Sequence, residues 1–217
     1  TNSEKIMFTK PALCTYRKHT PEVATGNQTL LPIPKDFWNI PTFLADRVGA
    51  YSCEENPDYQ QLLPYVALLN EKNEVFMYTR GGGGGESKLF ARTSIGLGGH
   101  IDDYPQSNRL RAHVFAEARR ELEEEVGFEG ELELEPQRLL VDHLYDTEPD
   151  SPNKVYVGQV HLGILCIAHC KSAQVTKMEE GVIENAKWMS ISNFDADAKS
   201  RLEPWSAMAL DFIKGLR

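Results

Sequence analysis

Hydrophobic and polar residues follow strand-like patterns over much of the chain after residue 60. LLPYVALLN (62–70) and VFMYTR (75–80) are apolar runs joined by the polar turn EKNE, which predicts a hairpin. RLLVDHLYD (138–146) and the β-branched run VYVGQVHLGILCIAHC (155–170) predict further strands. ENAKWMSI, around Trp188, predicts one more short strand.

Two stretches instead show helical spacing. The first runs from about residue 108 to Val126, and Gly127 directly after it suits a left-handed cap that ends the helix. The second is EPWSAMALDFIKGL, in which Pro204 suits the first turn and apolar residues recur at helical intervals. Because strands and helices interleave, the sequence predicts an α/β domain in layers around a mixed β-sheet.

Residues 1–59 have a different composition from residues 60–217. They hold six of the twelve prolines and little sustained periodicity, so we expect an N-terminal extension followed by one domain. A short helix is expected here, with Pro41 in its first turn and Phe43, Leu44 and Val48 along one side. The extension is expected to pack on the core or on a partner subunit, so a homodimer is a further expectation.

The bulk composition excludes several classes of protein. A hydrophobic share of 41% fits a soluble globule, and 23 basic against 32 acidic residues argue against a protein that binds a nucleic-acid duplex. The longest apolar run, LGILCIA (162–168), is shorter than the roughly 20 residues that span a bilayer. The first residues, TNSEKIMFTK, lack the apolar segment of a signal peptide, so we expect no membrane partner and a cytoplasmic location.

Cysteines and glycines offer two weaker signals. Cys166 and Cys170, near His161 and His169, could be imagined as zinc ligands, but they lie on one face of a predicted strand and are better explained as buried free thiols. The five glycines of RGGGGGESK (80–88) fit either a mobile loop or backbone that lies against a phosphate. The lysine of this run lacks the P-loop spacing.

The candidate chemistry is concentrated in EARRELEEEVGF (117–128), where five of nine consecutive residues are glutamates. On a helix, four of these side chains fall within an arc of about 100° beside the apolar stripe, whereas Glu123 points away. The four are Glu117, Glu121, Glu124 and Glu125. A solvated acidic face would explain the cluster, but so would a cleft that gathers the carboxylates around Mg²⁺ or Mn²⁺, ions that prefer oxygen ligands. Gly98 and Gly99 could bring a backbone carbonyl to the same ion.

These residues carry a resemblance to a known family. GGHID (98–102) followed by RELEEEVGF (120–128) resembles the signature of the Nudix hydrolases, whose second half, R-E-U-x-E-E-x-G-U, is matched at every defined position. The first half departs from the signature, because Ala112 stands where an isolated glutamate is expected and about seven residues are inserted. Glu117, one turn before Glu121, is the candidate to replace the missing carboxylate.

The resemblance implies a fold and an activity. The fold is a Nudix-like α/β/α sandwich over about residues 60–217, and the order of its motifs is most similar to a subgroup known as predicted phosphoesterases. The implied activity is a hydrolase dependent on magnesium or manganese (Mg²⁺ or Mn²⁺). Its implied substrate is a small phosphorylated molecule of the nucleoside diphosphate type, cleaved at a diphosphate linkage by metal-activated water.

The resemblance also implies roles for individual residues. Glu121, Glu124 and Glu125 are expected to bind metal together with the carbonyl of Gly99 and with Glu117 in its substitute role. Arg120 is expected to hold a glutamate in its ligating position, so the catalytic group comprises Arg120, Glu121 and Glu124. The general base stays open among Glu124, Glu179, Glu180 and Glu184. Tyr145, Tyr156 and Arg80 are candidates to face a ligand.

Two other functions stay open on the sequence alone. Ala112 favours a ligand-binding or regulatory module that has the fold but weak catalysis. An isopentenyl diphosphate isomerase would be a different metal-dependent enzyme on the same fold, and it would require a catalytic cysteine. Cys166 and Cys170 lie in a predicted core strand instead.

Overall fold

The computed structural model describes residues 10–81, 92–105, 109–144 and 153–216. The strands are β1 (Ala12–Tyr16), β2 (Gln28–Leu31), β3 (Phe43–Ala45), β4 (Tyr59–Leu69), β5 (Glu74–Arg80), β6 (Thr93–Ser94), β7 (Glu133–Asp142), β8 (His161–His169) and β9 (Ile183–Ser190). The helices are α1 (Leu110–Val126), α2 (Val157–Val160), α3 (Ala196–Ser200) and α4 (Pro204–Gly215). Most residues of the glycine run 80–88, and Tyr145, lie outside the described residues.

One mixed sheet organises the described part of the chain. Its strand order is β2-β7-β8-β4-β1-β3, and β5 joins the end of β4 and also pairs with β6 and β9. β4 and β8 run parallel, while the other pairs of named strands are antiparallel. The predicted hairpin is confirmed, since Leu69 of β4 pairs with Val75 of β5 across the turn.

The two central strands, β4 and β8, are buried on both faces, and their side chains alternate between two cores. Val66 of β4 and Ile164 of β8 lie in the core that α1 covers. Ala67 of β4 and Leu165 of β8 lie in the core that α4 covers. Helices on opposite faces of a mixed sheet confirm the predicted α/β/α layering.

An apolar stripe, with one residue every four positions, packs helix α1 against the sheet. Val114, Ala118 and Leu122 are fully buried against the sheet, and Leu110 and Val126 extend the stripe in both directions. The acidic arc of the helix lies beside this stripe, so the same packing that holds α1 also directs its glutamates along one edge of the core.

Gly127 ends α1 as predicted. Its φ of 58° is in the left-handed region, and its N–H bonds to the carbonyl of Glu123 while that of Phe128 bonds to Leu122. A Cβ at Gly127 would lie 2.5 Å from Lys177 Cγ and 2.6 Å from Thr176 Oγ1. The cap therefore also brings the loop before β9 close to the end of α1.

The described N-terminal residues add three strands to the sheet. β1 pairs with β4, and β2 pairs with β7, so this segment packs on the chain's own core. The short helix expected after Pro41 is wrong, since Phe43–Ala45 forms β3 and pairs with Ala12–Cys14. Phe43 and Ala45 pack with period two against a small cluster that contains Cys53, and a three-residue match to helical spacing does not outweigh that pairing. The boundary at residue 59 and a homodimer stay predictions.

All four cysteines are free and buried, which confirms the prediction that Cys166 and Cys170 are core thiols. Cys166 lies in the middle of β8, and Cys170 follows directly after that strand. The helices of the described residues do not reach the combination of length and apolarity that a membrane span would require.

Candidate active site

A cavity of about 210 Å³ opens beside the acidic arc of α1. Its walls come from the end of β5, the double-glycine loop, α1 and the loop before β9. The lining residues are Tyr78, Arg80, Gly98, Gly99, Glu121, Glu125, Glu179 and Val182. The fold thus brings together the glycine motif and the glutamate motif, which are separated by the insertion in the sequence.

Gly99 and Glu121 lie in direct contact at one side of this cavity. A Cβ built at Gly99 would lie 3.1 Å from Glu121 Oε1 and 3.3 Å from Oε2. At Gly98 a Cβ would lie 2.0 Å from the carbonyl oxygen of Pro64, so a side chain is excluded there. Gly98 therefore lets the loop lie against β4, and Gly99 leaves space for the carboxylate of Glu121.

Glu125 is the most deeply buried acid of the cavity, and its side chain is 8% exposed. Its Oε2 is buried and, among the described residues, has no hydrogen-bond partner. Burial raises the pKa of Glu125 to about 8, with further increases from Glu121 and Glu179 that outweigh the opposing effects of Arg80 and the Gly98 backbone hydrogen bond. An orphaned carboxylate oxygen in this setting would be satisfied by a cation.

Glu121 experiences a similar environment. Burial is the largest cause that raises its pKa to about 7. Arg120 opposes the increase, whereas Glu124, Glu117 and Glu179 add to it. Since carboxylates 121, 125 and 179 face the same space, the site has a deficit of positive charge that Mg²⁺ or Mn²⁺ would fit by charge and by ligand type.

Arg120 connects three of the four glutamates of the arc. Its Nε and Nη2 donate to Glu117 Oε2 at 3.0 and 2.7 Å, and Nη2 also donates to Glu121 Oε1 at 3.1 Å. Its Nη1 donates to both oxygens of Glu124, at 2.9 and 3.0 Å. The hydrogen bond that Arg120 donates to Glu117 is the largest cause that raises the pKa of Arg120, and the bonds to Glu124 and the charge of Glu121 add to it. The orienting role expected for Arg120 from the sequence stays a prediction.

Glu117 and Glu124, two of the expected metal ligands, do not line the cavity. Glu124 has 55% of its side chain exposed. Glu117 is buried beneath Arg120 and lies near Asp103 and His113 instead. Ala112 is exposed on α1, so no carboxylate comes from that position. The geometry thus favours Glu121, Glu125 and Gly99 over the other members of the predicted ligand set.

The loop before β9 contributes one of the three glutamates that the sequence could not separate. Glu179 lines the cavity, and its backbone N–H donates to the carbonyl of Glu125 at 2.7 Å. All three glutamates are exposed, but Glu180 and Glu184 are not among the lining residues. Backbone hydrogen bonds from this loop to the carbonyls of Glu125 and Val126 hold it against the end of α1.

Glu203 is a buried acid that sequence reasoning missed. Only 2% of it is exposed, and it accepts hydrogen bonds from Tyr65 Oη at 2.6 Å and Ser94 Oγ at 2.7 Å. It also forms an ion pair with Arg80 Nη1 at 3.3 Å, which fixes Arg80 in the cavity wall. Its position just before Pro204 suggested only a helix start, and nothing local indicated that it would meet β5.

Of the other ligand-facing candidates, Arg80 lines the cavity and Tyr156 does not. Tyr78, also missed, forms part of the wall and donates to the carbonyl of Gly96 at 2.7 Å. No cysteine of the described residues is among the lining residues. The cysteine that the isomerase alternative requires is therefore not provided at this site.

Comparison with known proteins supports the fold. No family model matches the chain. Protein YmaB of Bacillus subtilis is 33% identical over 162 residues, which is 74% of each chain. The crystal structure of Tm1382, a candidate Nudix hydrolase, superposes with a TM-score of 0.69 at 19% identity and covers 96% of this chain and 100% of its own. The NUDIX domain of Shewanella oneidensis NrtR, solved with ADP ribose, gives a TM-score of 0.50 at 12% identity over 72% of this chain and 88% of its own.

Proposed function

The chain belongs to the same family as Protein YmaB and has the Nudix fold, and from this premise we propose that it hydrolyses a diphosphate linkage with Mg²⁺ or Mn²⁺ as its cofactor. One observation carries the proposal. Glu121 and the partly unsatisfied carboxylate of Glu125 converge on the Gly98–Gly99 backbone in one cavity. Such a set of oxygen atoms suits a hard divalent cation and an anionic substrate together.

The residues present fit the metal, and each has a definite task. Glu121, Glu125 and the Gly99 carbonyl would hold it, and Arg120 would keep Glu121 in place through the 3.1 Å hydrogen bond. Bound there, Mg²⁺ or Mn²⁺ would supply Lewis acidity and offset the charge of a diphosphate. Glu117 and Glu124 would act through Arg120, since both bind its guanidinium.

Substrate binding and proton transfer are assigned to two other residues of the cavity wall. Arg80 lines the same cavity as the carboxylates, and its guanidinium would attract a phosphate group there. Glu179 is the proposed general base, because it is the acid of the downstream loop that lines the cavity. It would accept the proton of the attacking water as the phosphorus–oxygen bond to the leaving group breaks.

The cavity is small for a complete ligand. Its volume of about 210 Å³ is below the roughly 300–1,000 Å³ of pockets that enclose drug-sized molecules. The cavity would therefore hold the diphosphate centre, while the rest of the molecule lies along the surface. We propose a small phosphorylated substrate, of the nucleoside diphosphate type, without a nucleic-acid duplex or a membrane as a partner.

A substrate screen with matched variants tests the proposal. Nucleoside diphosphate sugars, dinucleoside polyphosphates, ADP-ribose, NADH, CoA and nucleoside triphosphates are incubated with and without Mg²⁺ or Mn²⁺, and released phosphate and nucleotide are measured. Turnover is expected only with metal, and Glu125→Gln is expected to reduce it by about 100-fold or more. Glu123→Gln is the control, because Glu123 lies on the same helix but pairs with Arg119 outside the cavity.

The same panel of compounds, with the melting temperature measured beside product release, distinguishes the alternative of a binding module with weak catalysis. Ala112, which replaces a signature glutamate, is the observation that favours this alternative. A ligand that raises the melting temperature but is not cleaved under any metal condition would support it and contradict hydrolysis. Equal turnover in the wild type and Glu125→Gln would overturn the assignment of the site.

A further inference from the structure

Three side chains from distant parts of the sequence meet outside the cavity of the proposed hydrolase site. Glu54 lies between β3 and β4, His100 directly follows the glycine loop, and His161 is the first residue of β8. Their possible ligand atoms all lie within 4.8 Å of one another. The cluster is distinct in chemistry from the acidic cavity, since two of its three members are imidazoles.

The orientation of His161 is fixed by the backbone. Its Nδ1 lies 2.6 Å from the carbonyl oxygen of Val157, in the short helix α2. A carbonyl oxygen only accepts, so Nδ1 carries the hydrogen and the lone pair of the neutral ring is on Nε2. Nε2 lies 3.8 Å from Glu54 Oε2. This arrangement, with one nitrogen bonded to a carbonyl and the other directed at a site, is the usual one for a metal-binding histidine.

Glu54 and His100 complete the cluster. The other oxygen of Glu54, Oε1, accepts from Arg47 Nε at 3.4 Å, which orients the carboxylate. His100 Nε2 is buried and has no hydrogen-bond partner within the described ranges, and its ring centroid is 5.6 Å from that of His161. Buried imidazole nitrogens are normally hydrogen-bonded, so the unpaired Nε2 of His100 beside His161 and Glu54 needs an explanation.

We propose that Glu54, His100 and His161 bind a divalent transition-metal ion of the Zn²⁺ type. Two histidines and one glutamate are a known ligand set for zinc, with a fourth position left for water or substrate. Magnesium prefers a shell of oxygen atoms, so the two sites are expected to differ in metal preference. Tetrahedral zinc with ligand distances of about 2.0–2.2 Å places the ligand atoms about 3.3–3.6 Å apart. The pair of His161 Nε2 and Glu54 Oε2, now at 3.8 Å, would approach by a few tenths of an ångström, and any pair near the 4.8 Å limit of the cluster would approach by about 1 Å on binding.

The site would connect three parts of the fold. Glu54 belongs to the N-terminal segment, His161 begins a central strand, and His100 is the neighbour of Gly99 in the glycine loop. A shared ion would hold the N-terminal segment against the sheet and fix the loop that forms one wall of the acidic cavity. Metal binding would therefore raise the melting temperature of the whole chain, because the unfolded state lacks the assembled ligands.

Metal titration of the full chain tests this proposal. The protein is stripped with a chelator, and Zn²⁺ affinity is measured by competition with a chromophoric chelator. Bound Co²⁺ is followed by its visible absorption, which reports the ligand set directly. The wild type is expected to bind one Zn²⁺ per chain at this site, and Glu54→Gln and His100→Gln are each expected to weaken binding by about tenfold or more. Glu55→Gln is the matched control and is expected to bind as the wild type does.

Two further measurements make the result decisive. A Glu121→Gln/Glu125→Gln variant is expected to keep the Co²⁺ spectrum, because it alters only the acidic cavity. Loss of the spectrum in that variant, or wild-type affinity in both Glu54→Gln and His100→Gln, would overturn the proposal. The melting temperatures of the metal-free variants control for folding. Glu54 is 29% exposed, so Glu54→Gln is expected to fold and to decide the question even where His100→Gln does not.

Discussion

Arg120 shows how one side chain can organise several acids. Its planar guanidinium donates in different directions to Glu117, Glu121 and Glu124 at 2.7–3.1 Å. The repulsion that a row of glutamates would cause on a helix is thereby offset within the arc itself. Burial nevertheless raises the pKa values of Glu121 and Glu125. The positive charge near these two carboxylates is therefore too small to offset their burial. We propose that the arginine positions metal ligands and leaves room for a cation.

The first prediction concerns the hydrogen bonds that Arg120 donates to the three glutamates. Arg120→Lys retains the charge but cannot donate to three carboxylates at once, so Glu121 loses its fixed position. Metal-dependent turnover is expected to fall by about 10- to 100-fold, with an unchanged melting temperature. Arg119→Lys is the control, since Arg119 pairs with Glu123 on the other side of α1. Equal kcat values for the two variants would contradict the orienting role.

At the level of the elements, the end of α1 positions two parts of the site together. Gly127 stops the helix in a left-handed conformation, and backbone N–H groups 176 and 177 then bond to Val126 while Glu179 bonds to Glu125. The backbone hydrogen bonds therefore fix the position of the glutamate of the loop relative to the glutamates of the helix. Displacement of this cap would move Glu179 relative to the carboxylates.

The second prediction is that Gly127→Ala destabilises the protein. The left-handed φ of 58° costs an L side chain about 1–2 kcal/mol. The new Cβ would also press on Lys177 and Thr176, which lie 2.5 and 2.6 Å from its position. Urea unfolding is expected to show a loss of about 1–3 kcal/mol. Gly215→Ala, near the end of α4 with nothing within 4 Å of its Cβ, is the control and is expected to be neutral or slightly stabilising.

The elements also show what local sequence patterns can and cannot predict. The apolar runs of β4 and β8, the apolar stripe of α1 and the cap at Gly127 are local features, so they were predictable. Strand β3 was not, because three residues become a strand only through pairing with β1. The same holds for the site. The motif pointed to Glu121 and Glu125 as site residues. The position of Glu203, and the presence of Glu179 rather than Glu180 in the cavity wall, depend on contacts between distant segments.

For the whole molecule, the acidic cavity links stability to pH and to metal. The pKa values of Glu121 and Glu125 in the folded chain are about 7 and about 8, above the ordinary 4.5. At a pH between 4.5 and these folded values, the two carboxyl groups keep their protons in the folded state and have lost them in the unfolded state. The folded state is thus favoured below pH 4.5 and loses this contribution as the pH rises toward 8. A cation that replaces the protons would restore it.

The third prediction follows from that linkage. Without divalent metal, the melting temperature is expected to fall more steeply between pH 5 and about 8 in the wild type than in Glu121→Gln/Glu125→Gln, whose amides do not titrate. Added Mn²⁺ is expected to raise the wild-type melting temperature most at the upper end of this range, where metal need not compete with protons. Because other acids titrate identically in both proteins, the difference between the two curves isolates the cavity. Parallel curves, with and without Mn²⁺, would show that these two carboxylates neither hold protons nor bind metal.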